Sequence, residues 1–518
     1  MKALTSKKEE DVQSHKLSIS SIIIVYKITF LKQIRNKWMI GELKFLLGGD
    51  AWMNKNTQDK ELHRGLEERH ITLMSLGAAI GVGLFLGSAT AIKMAGPGIL
   101  AGYAFSGLIM FLIMRALGEM AIQKPVAGSF SKYARDYLGP LAGYITGWNY
   151  WFLWVVTCMA EITAIGIYME YWFPSVPRWI WALAALVIMA SVNFLAVKAY
   201  GELEFWFALI KIVTIIAMIL IGAGMIIFGL GNGGISTGIK NLWAHGGFFP
   251  NGIKGVLLSL QMVMFAYLGI EMIGVTAGEV KNPEKSLSRA IDTVFWRILL
   301  FYVGALFVIM SIYPWEEIGT KGSPFVLTFE KIGVPGAAGI INFVVLTAAL
   351  SSCNSGIFST ARMLFNLAEH GEAPKKFGRV TRSGVPGMAV IASAAALLVG
   401  VVLNYVVPAK VFTWVTSIAT FGAIWTWGVI LLSQIRYRKT LNHAEVKALK
   451  YKMPLFPYAS YLALAFLAFV IGLMGYNPDT RIALVIGPLF LVFLVAVYYI
   501  KGFHKRGMDE NNLKKRII

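Results

Sequence analysis

The sequence predicts an all-α polytopic membrane protein, and three observations support that fold class. Hydrophobic residues make up 57% of the 518-residue chain, whereas charged residues make up only 15%, which excludes most soluble enzymes. Apolar runs recur at about the 20 residues that a helix needs to cross a 30 Å bilayer core. These runs are continuously apolar rather than alternating, which excludes a membrane β-barrel. The aromatic content of 13% also excludes a disordered chain.

The apolar runs predict twelve membrane spans in two groups of six. The first six are Ile71–Met94, Gly98–Ala121, Leu138–Met169, Trp179–Ala196, Leu203–Gly229 and Gly255–Ala277. The second six are Ala290–Tyr313, Gly336–Ala368, Met388–Val407, Val411–Ile435, Tyr458–Tyr476 and Ala483–Ile500. Spans three and eight exceed the length needed, which predicts strong tilt or helical extension beyond the bilayer.

Positive charge is unequal between the two sets of loops, and this asymmetry predicts the orientation. The rich set holds Arg115, Lys124, Lys132, Arg135, Lys281, Lys285, Arg289, Lys375, Lys376, Arg379, Arg382, Arg436, Arg438, Lys439 and Lys447. The poor set holds scattered cations such as Arg178, Lys240, Lys321 and Arg481. Both termini are basic and share one side, so the positive-inside rule makes that side cytoplasmic. The net charge of +20 is therefore mostly a topology signal, and no nucleic-acid partner is expected.

The first 52 residues differ from the rest of the chain. They hold Lys-rich stretches and one apolar run, Leu17–Phe30, which is too short to span and is interrupted by Lys27. No small-residue cleavage site follows a clean apolar run, so we expect no signal peptide. In a bacterial gene, Gly48-Gly49-Asp50 can be encoded as a ribosome-binding sequence about two codons before Met53. We hypothesise that translation starts naturally at Met53; the alternative is a basic, surface-associated extension.

Glycines cluster in the first and sixth predicted spans. Residues 77–87 hold four glycines, and each costs about 1 kcal/mol relative to Ala in a regular helix. Close helix packing is one explanation. The other is an unwound break near Ile80–Gly83, where free backbone N–H groups and the N-terminus of the next half-helix face an anion. In span six, Gly269 and Gly274 flank the acid Glu271.

The positions of these segments predict two five-helix inverted repeats with a binding site where the breaks meet. A free amino acid suits such a site, because its carboxylate can bind backbone N–H groups and its ammonium can bind unpaired carbonyls. The candidate substrate-binding residues are Ile80, Gly81, Val82, Gly83, Phe265, Ala266, Leu268 and Gly269.

Longer motifs indicate a family. They are Arg64–Leu66, Arg69–Ile71, residues 77–87, Arg115–Met120, Gly201–Phe207 and Glu279–Ser286. With them, the chain resembles amino acid permeases of the amino acid–polyamine–organocation superfamily, in the bacterial and fungal amino acid transporter branch, from about His63 to Ile500. The resemblance implies a LeuT-like 5+5 inverted repeat with broken helices 1 and 6. The repeats would be residues 71–229 and 255–435, with two peripheral helices in 458–500 and cytoplasmic tails at 53–70 and 501–518.

Shorter motifs within the branch bear on the substrate. They are Gly231–Gly234, Asn241–Trp243, Gly246–Phe249 and Ser259–Tyr267, which most resemble proline-specific permeases. Permeases for D-serine, D-alanine and glycine, and those of threonine or histidine type, are also similar. One departure is Val82, where many members carry Thr, so a hydroxyl near the carboxylate site is missing.

The resemblance implies proton-coupled uptake of a neutral L-amino acid across the bacterial cytoplasmic membrane by alternating access. The bundle of spans 1, 2, 6 and 7 would move against spans 3, 4, 5, 8, 9 and 10. Proline is favoured, and threonine, alanine, glycine, serine and histidine stay open. The partners would be the free amino acid and the lipid bilayer, with the proton as coupling ion and no cofactor or metal.

A charge at the bilayer centre costs about 2.5–3.5 kcal/mol, so each ionisable residue within a predicted span is expected to have a structural or functional role. Lys211 can extend to the cytoplasmic face; alternatively, the resemblance implies that it occupies the sodium position of related transporters and couples transport to a proton. Glu161 has either a structural role or a role near the ammonium or in proton transfer. Glu271 is expected to brace the second break, and the resemblance also allows proton sensing there.

The resemblance implies that Phe265 is an aromatic lid over the bound amino acid; ordinary packing is the alternative. Weaker gate or pocket candidates are Tyr267, Trp154, Asn354, Ser355, Arg115 and Glu119. Arg115 and Glu119 lie four residues apart, which predicts a helix-face pair or a gate contact. Asn354 and Ser355 belong to a polar stretch of span eight, where interhelical bonding is the default.

Other classes of protein fit less well. The seven histidines show no paired metal spacing, and no nucleophile arrangement is evident, so we expect no enzyme and no catalytic residues. Cys158 and Cys353 lie in apolar segments and support neither a disulfide framework nor a zinc site. No repeated pore-lining pattern favours a channel. An amino acid exchanger remains an alternative. A sensor without net transport also remains open, although it fits the sequence less well. The sequence makes no prediction of oligomeric state.

Overall fold

The computed structural model describes residues 80–126, 128–194, 197–230, 233–275, 283–318, 323–331, 336–381 and 384–505. Within these ranges the chain forms helices joined by turns, and none of the described residues is in a strand. Residues 1–52, the hypothesised start at Met53 and the first nine residues of predicted span one lie outside the described residues.

Twenty α-helices follow one another along the described residues. The first ten are α1 (Ser88–Ala95), α2 (Ile99–Gln123), α3 (Ser129–Leu138), α4 (Pro140–Met169), α5 (Arg178–Val192), α6 (Val197–Phe228), α7 (Asn241–Ala244), α8 (Gly252–Ala266), α9 (Met272–Val275) and α10 (Pro283–Asp292). The next ten are α11 (Val294–Arg297), α12 (Ala305–Ile312), α13 (Trp315–Ile318), α14 (Pro324–Lys331), α15 (Ala337–Glu369), α16 (Gly387–Val406), α17 (Val411–Thr440), α18 (His443–Ala448), α19 (Tyr458–Tyr476) and α20 (Ile482–Ile500). Residues Gly83–Gly87 and Ile298–Gly304 are π-helical, and Gly96–Gly98 and Lys375–Gly378 form 3-10 turns.

Nine helical stretches among the described residues are long and apolar enough to cross a bilayer. Two differences separate this number from the predicted twelve. Predicted spans one and two fall in one uninterrupted stretch, Gly83–Gln123, because the 3-10 turn Gly96–Gly98 directly follows α1 and directly precedes α2, although Gly96 itself has φ of +59° and ends α1. Helices α5 and α8 are apolar but only 15 residues each, which is short for a span. Predicted spans three and eight are long helices, with 30 residues in α4 and 33 in α15.

Helix α4 lies at the centre of one group of helices. It packs on α15, α17, α5 and α16, and 83% of its most apolar 18-residue window is buried inside the protein. A second group forms around α8, which packs on α1 and α2, while α2 also contacts α10. Helix α6 packs on α15 and α12. Residues Ile80–Gly83, which precede α1, lie against residues from α4, α6, α8 and α15.

Candidate functional site

The described part of the first glycine-rich segment begins with two non-helical residues. Ile80 and Gly81 lie outside the helix, and the π-helical turn begins at Gly83. The Gly81 carbonyl accepts hydrogen bonds from the N–H groups of Leu84 and Phe85 at 3.2 and 3.3 Å. The first N–H groups of a helix lack intrahelical partners and carry the positive end of its dipole. The segment thus presents backbone donors suited to an anion.

The second segment contains the break that the sequence predicts. Helix α8 ends at Ala266, the chain turns through residues 267–271, and α9 begins at Met272. Gly269 has φ of +97°, a conformation that side-chain-bearing residues rarely adopt. Its N–H donates to Glu271 Oε2 at 3.2 Å, and the Trp427 indole N–H donates to the same oxygen at 3.4 Å. Glu271 therefore ties the break to α17, as expected for a bracing residue.

The two segments meet through their backbones. A Cβ atom on Gly83 would lie 2.5 Å from the Cα of Ala266, a distance that real side chains do not reach. The Tyr302 hydroxyl donates to the Ala266 carbonyl at 2.8 Å. Gly83 is therefore required for the close approach of the first helix start to the end of α8.

Lys211 is fully buried and bonds the first segment. Its Nζ donates to the Ile80 carbonyl at 3.2 Å and to the Ser351 hydroxyl at 3.0 Å. The Ser351 hydroxyl donates to Glu204 Oε1 at 2.5 Å. The ammonium thus links α6 to the first segment and to α15, inside the protein rather than at its surface.

Glu161 lies against the same segment from α4. Its side chain is 2% exposed, and its Oε1 accepts a hydrogen bond from the Ser352 hydroxyl at 2.6 Å. A Cβ atom on Gly81 would lie 2.9 Å from this oxygen. Glu161 therefore bonds a neighbouring helix and also touches the backbone of the first segment.

Charge in this region is uneven. We name Lys211, Glu161, Glu204, Ser351 and Ser352 the central polar cluster. Fully ionised, its three charged residues would carry one positive and two negative charges. Unbalanced charge is costly in a low-dielectric interior, so binding of one proton would stabilise the cluster by neutralising its net negative charge. The cluster can therefore hold a proton directly beside the backbone of Ile80 and Gly81.

The remaining interior candidates, from both the substrate-binding set and the gate or pocket set, are buried among neighbouring side chains. Phe265 is buried, and its ring lies edge-on to that of Phe412, with centroids 6.5 Å apart. Leu268 and Ser355 are buried as well. The Tyr267 hydroxyl donates to the Tyr103 carbonyl at 2.6 Å, which directs it toward α2.

Trp154 and Asn354 both lie at packed helix interfaces. A Cβ atom on Gly356 of α15 would lie 2.9 Å from Trp154 Cε3. Asn354 Oδ1 accepts a hydrogen bond from the Asn193 amide at 2.8 Å, which joins α15 to the residue that follows α5. Interhelical bonding, the default expected for this polar stretch, describes Asn354.

The predicted helix-face pair of Arg115 and Glu119 is wrong, because each bonds a different helix. Arg115 Nη1 lies 3.0 Å from Asp292 Oδ1, at the end of α10. Glu119 accepts from Arg438 Nε and Nη2 of α17 at 2.5 and 2.8 Å. We name Arg115–Asp292 and Glu119–Arg438 the α2 ion pairs. They act between helices because α2 places them against α10 and α17.

The segment that follows α18 closes over the α2 ion pairs. Glu119 also accepts from the Met453 backbone N–H at 2.5 Å, and the Arg115 guanidinium lies 3.7 Å from the centre of the Tyr451 ring. The Tyr451 hydroxyl donates to Asp292 Oδ1 at 2.7 Å. Burial raises the pKa of Tyr451, and this bond to Asp292 raises that pKa further.

Glu204 is the residue of the site that the sequence did not single out. It lies in the Gly201–Phe207 motif, seven residues before Lys211. Seven residues are about two turns of an α-helix, so both side chains lie on one face. An acid and a lysine two turns apart on one face of a largely apolar helix were the available signal.

The sequence profile described as "Amino acid permease" matches residues 70–510. The chain belongs to the amino acid permease family. Members carry amino acids across membranes, so the protein is a multi-pass membrane transporter of free amino acids rather than an enzyme.

Three relatives come from Bacillus subtilis (strain 168). The chain is 80% identical over 449 residues to the uncharacterized amino acid permease YtnA, covering 87% of this chain and 97% of the relative. It is 51% identical over 457 residues to the probable threonine/serine transporter YbxG, covering 88% and 98%. It is 49% identical over 453 residues to the amino-acid permease AapA, with the same shares.

Proposed function

We propose that the protein couples the uptake of a neutral amino acid to an inward proton gradient by alternating access. The contact that carries this proposal is the hydrogen bond from Lys211 Nζ to the Ile80 carbonyl, at 3.2 Å. It connects a titratable ammonium directly to the backbone of the first segment. Gain or loss of the lysine proton would therefore change the stability of that backbone conformation.

The proposed architecture has twelve spans in a 5+5 inverted repeat, with α19 and α20 peripheral and both termini cytoplasmic. The non-helical residues Ile80 and Gly81 and the break at residues 267–271 support it, because they fall in the first and sixth predicted spans. A short helix also follows the second span and the seventh, namely α3 and α14. Matching interruptions are typical of inverted-repeat transporters.

The proposed amino acid site lies where the two segments meet. The substrate carboxylate would bind the N–H groups of Val82 and Gly83, at the positive end of the first half-helix. The ammonium would bind carbonyls of residues 266–269. Backbone groups recognise what all amino acids share, so the apolar surroundings of Phe265 and Leu268 favour a side chain without charge.

For the substrate itself, we place threonine and serine ahead of proline. The resemblance of short motifs favours proline, whereas the relative that is 51% identical over 88% of the chain is named a probable threonine/serine transporter. The 51% identity extends over the whole of the proposed site, so we give it more weight than the short motifs, of which only Ser259–Tyr267 reaches that site.

Uptake into proteoliposomes tests both parts of the proposal. With an alkaline interior and no sodium, labelled threonine should accumulate above its external concentration, and a protonophore should abolish this accumulation. Unlabelled serine should compete more strongly than unlabelled proline. Accumulation that requires sodium, or labelled influx that requires internal amino acid, would contradict proton coupling; the second result would identify an exchanger.

A further inference from the structure

We propose that Glu204 receives the coupling proton from Lys211 through Ser351 and passes it toward the cytoplasm. This inference rests on the proposed proton-coupled function. Glu204 is fully buried, and its carboxylate lies one hydroxyl away from the Lys211 ammonium. The two hydrogen bonds of 3.0 and 2.5 Å, which both involve Ser351 Oγ, form an unbroken path between the two ionisable groups.

The direction of the bonds fits the transfer of one proton. Lys211 Nζ–H donates to Ser351 Oγ, and the Ser351 hydroxyl donates to Glu204 Oε1. In the transfer, the N–H bond of Lys211 breaks while a new O–H bond forms on Ser351. The original hydroxyl proton of Ser351 moves to Glu204 Oε1. The products are a neutral lysine, an unchanged serine and a protonated Glu204, with no other reactant.

The position of Glu204 along α6 gives the path its direction. Glu204 lies seven residues after Val197, where α6 begins, and seven residues before Lys211. At 1.5 Å per residue it is about 10 Å nearer the start of the helix than Lys211. The predicted orientation places that start on the cytoplasmic side. A proton on Glu204 is therefore closer to the compartment into which it must be released.

Among the acids near this path, Glu204 is the one that bonds the Ser351 hydroxyl, so it is the acceptor of the proton. Lys211 faces Glu204 along the same helix, with Ser351 of α15 between them, and the Glu161 carboxylate lies beside the backbone of Gly81. The Glu161 carboxylate bonds a different hydroxyl, that of Ser352. A purely structural Glu204 would need only an oxygen that accepts the Ser351 hydroxyl, whereas a relay also needs an oxygen that can be protonated.

Glu204→Gln separates these two roles, because the amide oxygen still accepts the Ser351 hydroxyl but cannot carry the proton. In proteoliposomes we expect exchange of labelled for unlabelled amino acid to stay within about twofold of wild type, while proton-driven accumulation falls by about tenfold or more. Ser351→Ala should give the same separation. Glu202→Gln, which changes the other acid of the same motif, is the matched control and should retain accumulation.

Several outcomes would overturn the relay. Wild-type accumulation by Glu204→Gln would show that no proton needs to reach Glu204. Equal loss of exchange and accumulation would show a structural role. If wild-type protein itself shows no proton-driven accumulation, the proposed function fails; if wild type accumulates and Glu204→Gln does too, the relay alone fails.

Discussion

The central polar cluster and the α2 ion pairs are two buried or half-buried sets of charges with different compositions. The cluster combines one lysine with two acids and bonds the non-helical backbone at Ile80. The α2 ion pairs match one arginine with one acid each and connect intact helices. Balanced pairs suit helix attachment, whereas an odd charge beside an interrupted helix suits the binding and release of a proton. The predictions below test this distinction.

The largest effect is expected from Lys211→Ala, which removes the cation of the central polar cluster. Exchange of amino acids should persist, while proton-driven accumulation should fall by about tenfold or more, because the cluster no longer responds to the gradient. Parallel uptake and exchange assays in proteoliposomes measure both. Lys254→Ala is the control, since Lys254 is exposed on α8, and it should accumulate like wild type. Unchanged uphill uptake by Lys211→Ala would remove that lysine from coupling.

Glu119→Ala should affect stability more than coupling. It leaves the Arg438 guanidinium, 9% exposed, without its carboxylate, and breaking a buried pair costs about 3–5 kcal/mol. Thermal unfolding in detergent should show a clear loss, while the ratio of accumulation to exchange stays as in wild type. A normal unfolding temperature together with lost accumulation would mean that Glu119 takes part in coupling and not in helix attachment, which would contradict the distinction between the two sets of charges.

Asp292→Ala tests the more exposed of the α2 ion pairs. The side chains of Arg115 and Asp292 are 19% and 54% exposed, so solvent already screens their attraction. We expect a loss of about 0–1 kcal/mol, well below that of Glu119→Ala, in the same unfolding assay. A loss as large as that of Glu119→Ala would mean that the loop contacts of Tyr451 depend on Asp292.

An effect of similar size is expected from Trp427→Phe. The substitution removes one indole N–H that reaches Glu271 at 3.4 Å but keeps most of the aromatic volume. The Gly269 N–H still donates to Glu271, so we expect a stability loss of about 1 kcal/mol and a modest fall in transport rate. Abolished transport with normal stability would assign Glu271 a direct part in proton movement rather than bracing.

Sequence reasoning predicted the parts of the structure that follow from composition and glycine placement. The apolar runs located the helices, and Gly269 marked the break that the structure has at residues 267–271. Lys211 was also recognised, because a lysine in an apolar run needs a partner. Each of these signals comes from a short stretch of residues, so a single sequence is enough to recognise it.

Partners across helices could not be predicted in the same way. The pair Arg115 and Glu119 satisfies the spacing of a helix-face pair, yet Asp292 and Arg438 bind them from other helices. Glu204 lies on the same helix face as Lys211, but the bridging Ser351 comes from α15.

The central claim, that the cluster around Lys211 binds a proton that crosses with the substrate, is tested most directly by counting protons. Internal pH and labelled threonine should be recorded together in proteoliposomes that start without a pH gradient. We predict internal acidification in step with influx, at about one proton per amino acid, as the single odd charge of the cluster requires. Influx of the amino acid without any acidification would contradict the account.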